Sequence, residues 1–338
     1  MQTLTKISKL ASKNVAILAV LVMAASLIHP PTFLWVQPAW INRLLGLVMF
    51  GMGLTIRLSD FALVFKRPVD VLIGTFVPYA IMSGLAIALV RIFNLPQELA
   101  IGVILVGAAP SGTSSNVFAL LANGDMPLSI TVTTISTLLA PIMTPFLIWA
   151  ALGQSIEVNT MALFMGIVEV VLAPIVLALV IRALFSKITD KLIGILPLVS
   201  VISILAIVGA IVSRNAANVL TSGLMILGIV ALHNLSGYAL GFGFIKLFKG
   251  SNQKATTIAI EVGMQNSALA SSLAATHFAM FPMAAVPGVL KSIFMIVSGS
   301  IFANLMAGPN LKEMEANQAA QATKQEAEAN ISPIKETA

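Results

Sequence analysis

The chain contains no cysteine. That excludes a disulfide framework, a thiolate metal site and a cysteine nucleophile. Its three histidines, His29, His233 and His277, are too scattered for metal-ligand spacing. Charge is scarce as well: Asp, Glu, Lys and Arg make up 9% of the 338 residues, against roughly 25% in a soluble domain. With 58% hydrophobic residues and a mean hydropathy of +0.99, this scarcity marks an all-α polytopic protein whose constant partner is the lipid bilayer. There is no Ser/His/Asp constellation, no paired-carboxylate site and no metal cluster, which argues against an intramembrane enzyme. The stretch from Gly308 onward has almost no bulky apolar residues, so it cannot build a sensing domain, which argues against a receptor.

The apolar sequence between polar or Pro/Gly punctuation divides into ten stretches of membrane-spanning length, approximately 14–29, 39–57, 69–91, 98–122, 127–152, 159–184, 193–213, 219–247, 255–277 and 283–306. An even number places both termini on one side. The net charge of +6 then acts as topological information and not as a nucleic-acid footprint. Fifteen Lys and Arg residues fall on the face of the termini and three (Arg43, Arg91, Arg214) near the other, with Lys291 inside a stretch. By the positive-inside rule both termini are cytoplasmic, in a multi-pass protein of the plasma or inner membrane. The basic start and short apolar core of the first stretch also resemble a cleavable signal peptide; a retained helix is the expectation. Residues 308–338 form a mobile or loosely helical cytoplasmic tail on this reading, and a monomer is expected.

Two of the stretches are rich in polar and small residues, and they hold corresponding places when ten is divided into five and five. Asn116 in SGTSSN and Asn266 in EVGMQN are 150 positions apart. Five spans is an odd number, so a second copy enters the membrane inverted, giving units of residues 1–152 and 153–307 related as inverted repeats. In GAAPSGTSSN, Pro110 between Gly107 and Gly112 deletes a helix hydrogen bond and disfavours helix before it, so a break is expected there. EVGMQNS has the same character around Gly263. Paired breaks at membrane depth present helix N-termini suited to an anion and freed carbonyls suited to a cation. Glu261 is the strongest single signal, because an ionised carboxylate at the bilayer centre costs at least about 2.5–3.5 kcal/mol and needs a cation or a proton. Amides, hydroxyls and carbonyls around it make an oxygen cage apt for Na⁺.

These residues carry a family resemblance. GAAPSGTSSNVFALLANGDMPLSITVTTISTLLAPIMTPF and EVGMQNSALASSLAATHF resemble the two crossover segments of the bile acid:sodium symporter family, and the similarity runs from about residue 15 to 306. The resemblance implies ten helices, with helices 4 and 9 discontinuous and crossing. It implies a panel of helices 1, 2, 6 and 7 and a core of helices 3–5 and 8–10. It implies a first sodium site of Ser115, Asn116, Ser129, Thr133 and Glu261, and a second of Glu261, the backbone of Val262 and Met264, and Gln265. Thr113 and Asn266 would floor a substrate cavity between panel and core. Where the family places a glutamine on helix 3, VPYAIM has Pro78, which supplies no side-chain oxygen.

Lys291 in KSIFMIVSG and Glu169 in GIVEVVLAP stand alone in apolar stretches. Counted from Met283 and Asn159, both lie roughly 12–15 Å deep at about 1.5 Å per residue. They could form an ion pair, contribute to substrate recognition with Lys291 on the substrate carboxylate, or place Lys291 as a tethered cation instead of the second Na⁺. His233 and Asn234 read as a packing pair, and Asp60 and Asp70 as solvated partners of Arg57, Lys66 and Arg67. The expected function is sodium-coupled symport of a small organic anion (bile acid, pantoate or keto-acid type) by alternating access, with Na⁺ as the coupling ion and no other cofactor. A proton-coupled or uniport carrier is the alternative.

Overall fold

The computed structural model describes residues 2–57, 61–153 and 156–331, with backbone only for 320–331. The described residues are mostly helical and form no strand, as apolar sequence in lipid requires, since only a helix or a closed barrel satisfies its own backbone there. Sixteen α-helices run in order: α1 (Gln2–Lys13), α2 (Val15–Ile28), α3 (Pro38–Gly53), α4 (Ala62–Lys66), α5 (Pro68–Ile92), α6 (Gln97–Gly107), α7 (Ser114–Leu121) and α8 (Met126–Leu152). The second half holds α9 (Thr160–Ile167), α10 (Ala173–Leu184), α11 (Ser186–Leu192), α12 (Leu196–Arg214), α13 (Ala216–Leu247), α14 (Asn252–Gly263), α15 (Ser267–His277) and α16 (Val286–Ile331). A π-helical turn, Val168–Leu172, joins α9 to α10. Pro174 follows it, and its ring nitrogen cannot donate to Val170, so the ladder widens there.

Six of the described helices are long and apolar enough to cross a membrane, and the pair around Asn14, bent by 75°, makes up to seven. Prolines start several of them at a position where no N–H is needed: Pro38 in α3, Pro68 in α5 and Pro127 in α8. Helices α2, α3, α10 and α12 pack on one another, and α5, α6, α8, α13, α14 and α16 form a second group. Close approach in that second group depends on missing side chains. A Cβ on Gly74 would lie 2.3 Å from the Val132 side chain, and one on Gly102 would lie 2.4 Å from the Ala284 carbonyl.

Two features lie beyond what composition shows. Helix α16 continues unbroken through Pro309, helical as the tail reading allows, and the residues just after Gly308 dock on the body. Asn310 is fully buried and donates from Nδ2 to the Ala122 carbonyl at 2.7 Å, while Glu313 accepts from the Gln253 N–H at 3.0 Å. Composition could not show this, because one amide reaching the α7 C-terminus decides it. At the basic rim Asp70, half-buried, pairs with Arg67 at 2.6 Å as the sequence reading expects and also with Lys254, and Arg67 pairs with Asp125 at 2.6 Å. Asp60 lies outside the described residues.

Asp125 does two further things: its Oδ1 caps α8 by accepting from the Leu128 N–H at 3.2 Å, and its own N–H donates to Thr257 at 2.8 Å. Asp125→Ala is therefore expected to lower stability by about 1–2 kcal/mol for the cap alone. Asp125→Asn, which retains an acceptor, should recover part of that loss in thermal unfolding of the purified chain.

Candidate functional site

The chain breaks helix twice inside the second group of helices. Between α6 and α7, residues 108–113 contain Pro110 and Gly112; between α14 and α15, Met264, Gln265 and Asn266 are non-helical. The two breaks pair with each other as a short antiparallel bridge. The Gly112 N–H donates to the Met264 carbonyl and the Asn266 N–H to the Pro110 carbonyl, both at 2.7 Å. Gly112 is required by proximity, since a Cβ there would lie 2.9 Å from the Gln265 carbonyl oxygen. Gln265 fastens the crossing from the side, donating from Nε2 to the carbonyls of Gly107 at 3.0 Å and Ala109 at 3.3 Å. Those carbonyls lie at the end of α6, where the helix itself supplies no donor; the Gly107 carbonyl also accepts from Ser83 Oγ at 3.2 Å.

One turn before the second break, Glu261 sits on α14 with no solvent exposure. Its Oε1 lies 2.6 Å from Ser129 Oγ and its Oε2 lies 2.9 Å from Thr133 Oγ1; Ser129 and Thr133 are one turn apart on α8. The first turn of α7 closes the cluster. Asn116 Oδ1 lies 2.8 Å from Ser129 Oγ and 3.4 Å from Thr133 Oγ1, and Ser115 Oγ lies 3.1 Å from Thr133 Oγ1. The structure thus brings all five residues of the first set together, from three helices. Ser111 adds a tie by donating to the Glu261 carbonyl at 3.1 Å.

Ser129 and Thr133 each have one proton and lie against two acceptors, Asn116 Oδ1 and a carboxylate oxygen. Three oxygens, both of the carboxylate and Asn116 Oδ1, can only accept while Glu261 is ionised, and Ser129 has one proton for two of them. Among the described residues no Lys, Arg or His lies within ion-pair distance of Glu261. A buried carboxylate without a counter-charge is costly. A hard monovalent cation fits the donor set, which is all oxygen with a single negative charge, and the C-terminal end of α14 adds its negative dipole end. Among the described residues no three His, Cys, Asp or Glu side chains gather as a site for a more highly charged metal.

The second set is arranged differently. Gln265 Oε1 faces the ammonium of Lys291 at 2.8 Å, and that ammonium also lies 3.3 Å from His233 Nδ1. Lys291 is fully buried and His233 nearly so. Glu169 is exposed on the π-helical turn, and among the described residues no ion pair joins it to Lys291. A fully buried ammonium and an exposed carboxylate with no ion pair between them correct the ion-pair expectation. Of the four residues expected at the substrate, Thr113 and Asn266 flank the bridge, Lys291 meets Gln265, and Glu169 lies exposed on the π-helical turn. Thr113 is half-buried at the start of α7. Asn266 caps α15 through the Leu269 N–H at 3.0 Å and turns its amide nitrogen toward Met49 of α3 at 3.9 Å, where the two helix groups meet. Two cavities, of about 620 and 490 Å³, open elsewhere, around Arg91 and Gln97 and around Glu98 and Asn218.

Asn234, read from sequence as packing, donates to the Gly263 carbonyl at 2.7 Å and so supports the end of α14. His233 was read the same way, and its contact with Lys291 was missed because 58 residues separate them.

A multi-pass helical membrane protein with a buried carboxylate among neutral oxygens is, by class, a membrane transporter. Residues 43–222 match the Sodium Bile acid symporter family model. The chain is 44% identical over 303 residues to the sodium-dependent transporter YocS of Bacillus subtilis (strain 168), covering 90% of this chain and 94% of that one. It is 34% identical over 289 residues to the probable sodium/metabolite cotransporter BASS1, chloroplastic, of Arabidopsis thaliana, covering 86% and 72%. The rice BASS1 protein (Oryza sativa subsp. japonica) is also 34% identical, over 284 residues, covering 83% and 69%. The chain belongs to the sodium bile acid symporter family.

Proposed function

We propose that the chain is a symporter that couples the inward movement of Na⁺ to import of a small organic anion by alternating access. The observation that carries the reading is the oxygen cluster of Ser115, Asn116, Ser129, Thr133 and Glu261 around one carboxylate without a counter-charge. Sodium held there would tie α7, α8 and α14 together and so order the crossing. Its charge would also make an anion welcome beside the N-terminal ends of α7 and α15, where Thr113 and Asn266 stand. Glu169, exposed and distant, is given no role at the substrate.

On this reading the helices form ten spans in two inverted five-span units. The group of α2, α3, α10 and α12 acts as the panel, and the second group, which carries the crossing, moves against it. Both termini face the cytoplasm. The sodium/metabolite naming of the plant relatives supports a metabolite as cargo, and a carboxylate such as pantoate, a keto acid or a bile acid suits two helix N-termini.

Because the two ligands share the crossing, each must raise the affinity of the other by the same factor. A thermal-shift screen of carboxylates, run in Na⁺ and in choline, is expected to give anions that stabilise the chain in Na⁺ and little in choline. Stabilisation that depends on pH but not on Na⁺ would select a proton-coupled or uniport carrier in its place.

A further inference from the structure

The second cation site implied for this family does not fit the residues present. Pro78, buried within α5, has no side-chain oxygen to offer. The oxygen that Gln265 would contribute is already occupied by the Lys291 ammonium at 2.8 Å. The surroundings of that ammonium are built for a positive charge. His233 Nε2 lies 2.9 Å from the Met82 carbonyl, which can only accept, so Nε2 carries the ring proton. Nδ1, aimed at Lys291 Nζ, is then a lone pair. Gln265 is oriented in the same sense, because its amide nitrogen is committed to the carbonyls of Gly107 and Ala109 and its oxygen is what remains for Lys291. Two neutral acceptors, each fixed by a second hydrogen bond, converge on one fully buried Nζ. Met82 lies one helical turn beyond Pro78, so the helix that lacks the side-chain ligand is also the one that orients the histidine.

We propose that the Lys291 ammonium permanently occupies the second cation position, so that this chain binds and moves one sodium ion per cycle. The inference rests on the sodium-coupled reading above. A sodium ion on Gln265 Oε1 would have to share that oxygen with a like charge, which repels it. A tethered ammonium supplies the electrostatic support of an ion at the crossing without leaving with the substrate, so accumulation scales with the first power of the sodium gradient. Lys291 is a positioning residue in this account: it holds Gln265, and Gln265 holds the two breaks together.

The test is equilibrium binding of radiolabelled Na⁺ to the purified full-length chain, with thermal unfolding measured against Na⁺ concentration. The wild type is expected to bind about one Na⁺ per chain with a Hill coefficient of about 1, the value for a single independent site. Lys291→Arg, which keeps the charge, should also bind one. The double substitution Lys291→Met with Pro78→Gln removes the tethered charge and supplies an amide oxygen, and should bind two. Two Na⁺ per wild-type chain would overturn the proposal while leaving sodium coupling intact, and so would a monodisperse double variant that still binds one. Should the double variant not fold, the wild-type stoichiometry decides alone. No Na⁺ bound by the wild type would defeat the sodium-coupled reading itself.

Discussion

Glu261→Gln is expected to abolish sodium binding while leaving a folded protein. The substitution keeps the size of the side chain and one acceptor oxygen, and it removes the only negative charge in the cluster of Ser115, Asn116, Ser129 and Thr133. Ser129 and Thr133 would retain neutral partners at 2.6 and 2.9 Å, so local packing survives. Uncoupling a buried charge from its counter-ion typically costs about 3–5 kcal/mol, which corresponds to a sodium affinity roughly 150- to 4,000-fold lower. Titration of the variant by Na⁺-dependent thermal stabilisation measures this. Unchanged sodium affinity in a folded Glu261→Gln chain would place the ion elsewhere. Stability without sodium is expected to rise in the variant, since the neutral amide has no charge to desolvate.

The second large effect is expected from one methyl group. In Gly112→Ala the new Cβ would lie 2.9 Å from the Gln265 carbonyl oxygen and 3.1 Å from its carbon, and both are backbone atoms that cannot swing away. The bridge must open, and its two 2.7 Å hydrogen bonds lengthen. The Ser115 N–H donates to the Gly112 carbonyl at 2.9 Å, so displacement of Gly112 moves the first turn of α7 and with it Ser115 and Asn116. Overpacking of this kind costs about 1–3 kcal/mol. Sodium affinity should fall along with the unfolding temperature. Gly84, within α5, has nothing within 4 Å of its would-be Cβ; Gly84→Ala is the control and should leave sodium affinity unchanged while raising stability by about 0.5–1 kcal/mol.

What was legible in the sequence follows a physical pattern. Glu261 stood out because a lone carboxylate in an apolar stretch has few explanations, and Pro110 with Gly112 marked a break because both act through the backbone locally. The five oxygens assigned through the family resemblance do converge, since the i, i+4 spacing of Ser129 and Thr133 sets them on one face of α8. Counting residues gave the depth of Lys291 and Glu169 but not their direction around the helix axis, and direction is what separates a buried ammonium from an exposed carboxylate. The partners of Asp125, Asn310 and His233 were hidden for another reason. Each bond joins elements far apart in the chain, and composition contains no trace of which polar group meets which.

The central claim is that the Glu261 cluster takes sodium and that sodium orders the crossing. Its most direct test is thermal unfolding of the purified chain in NaCl, KCl and choline chloride at one ionic strength. The account predicts that only Na⁺ raises the unfolding temperature, with a gain that grows logarithmically with concentration and reaches about 2.7 kcal/mol when Na⁺ is at 100 times its dissociation constant. Equal stability in all three salts would contradict it.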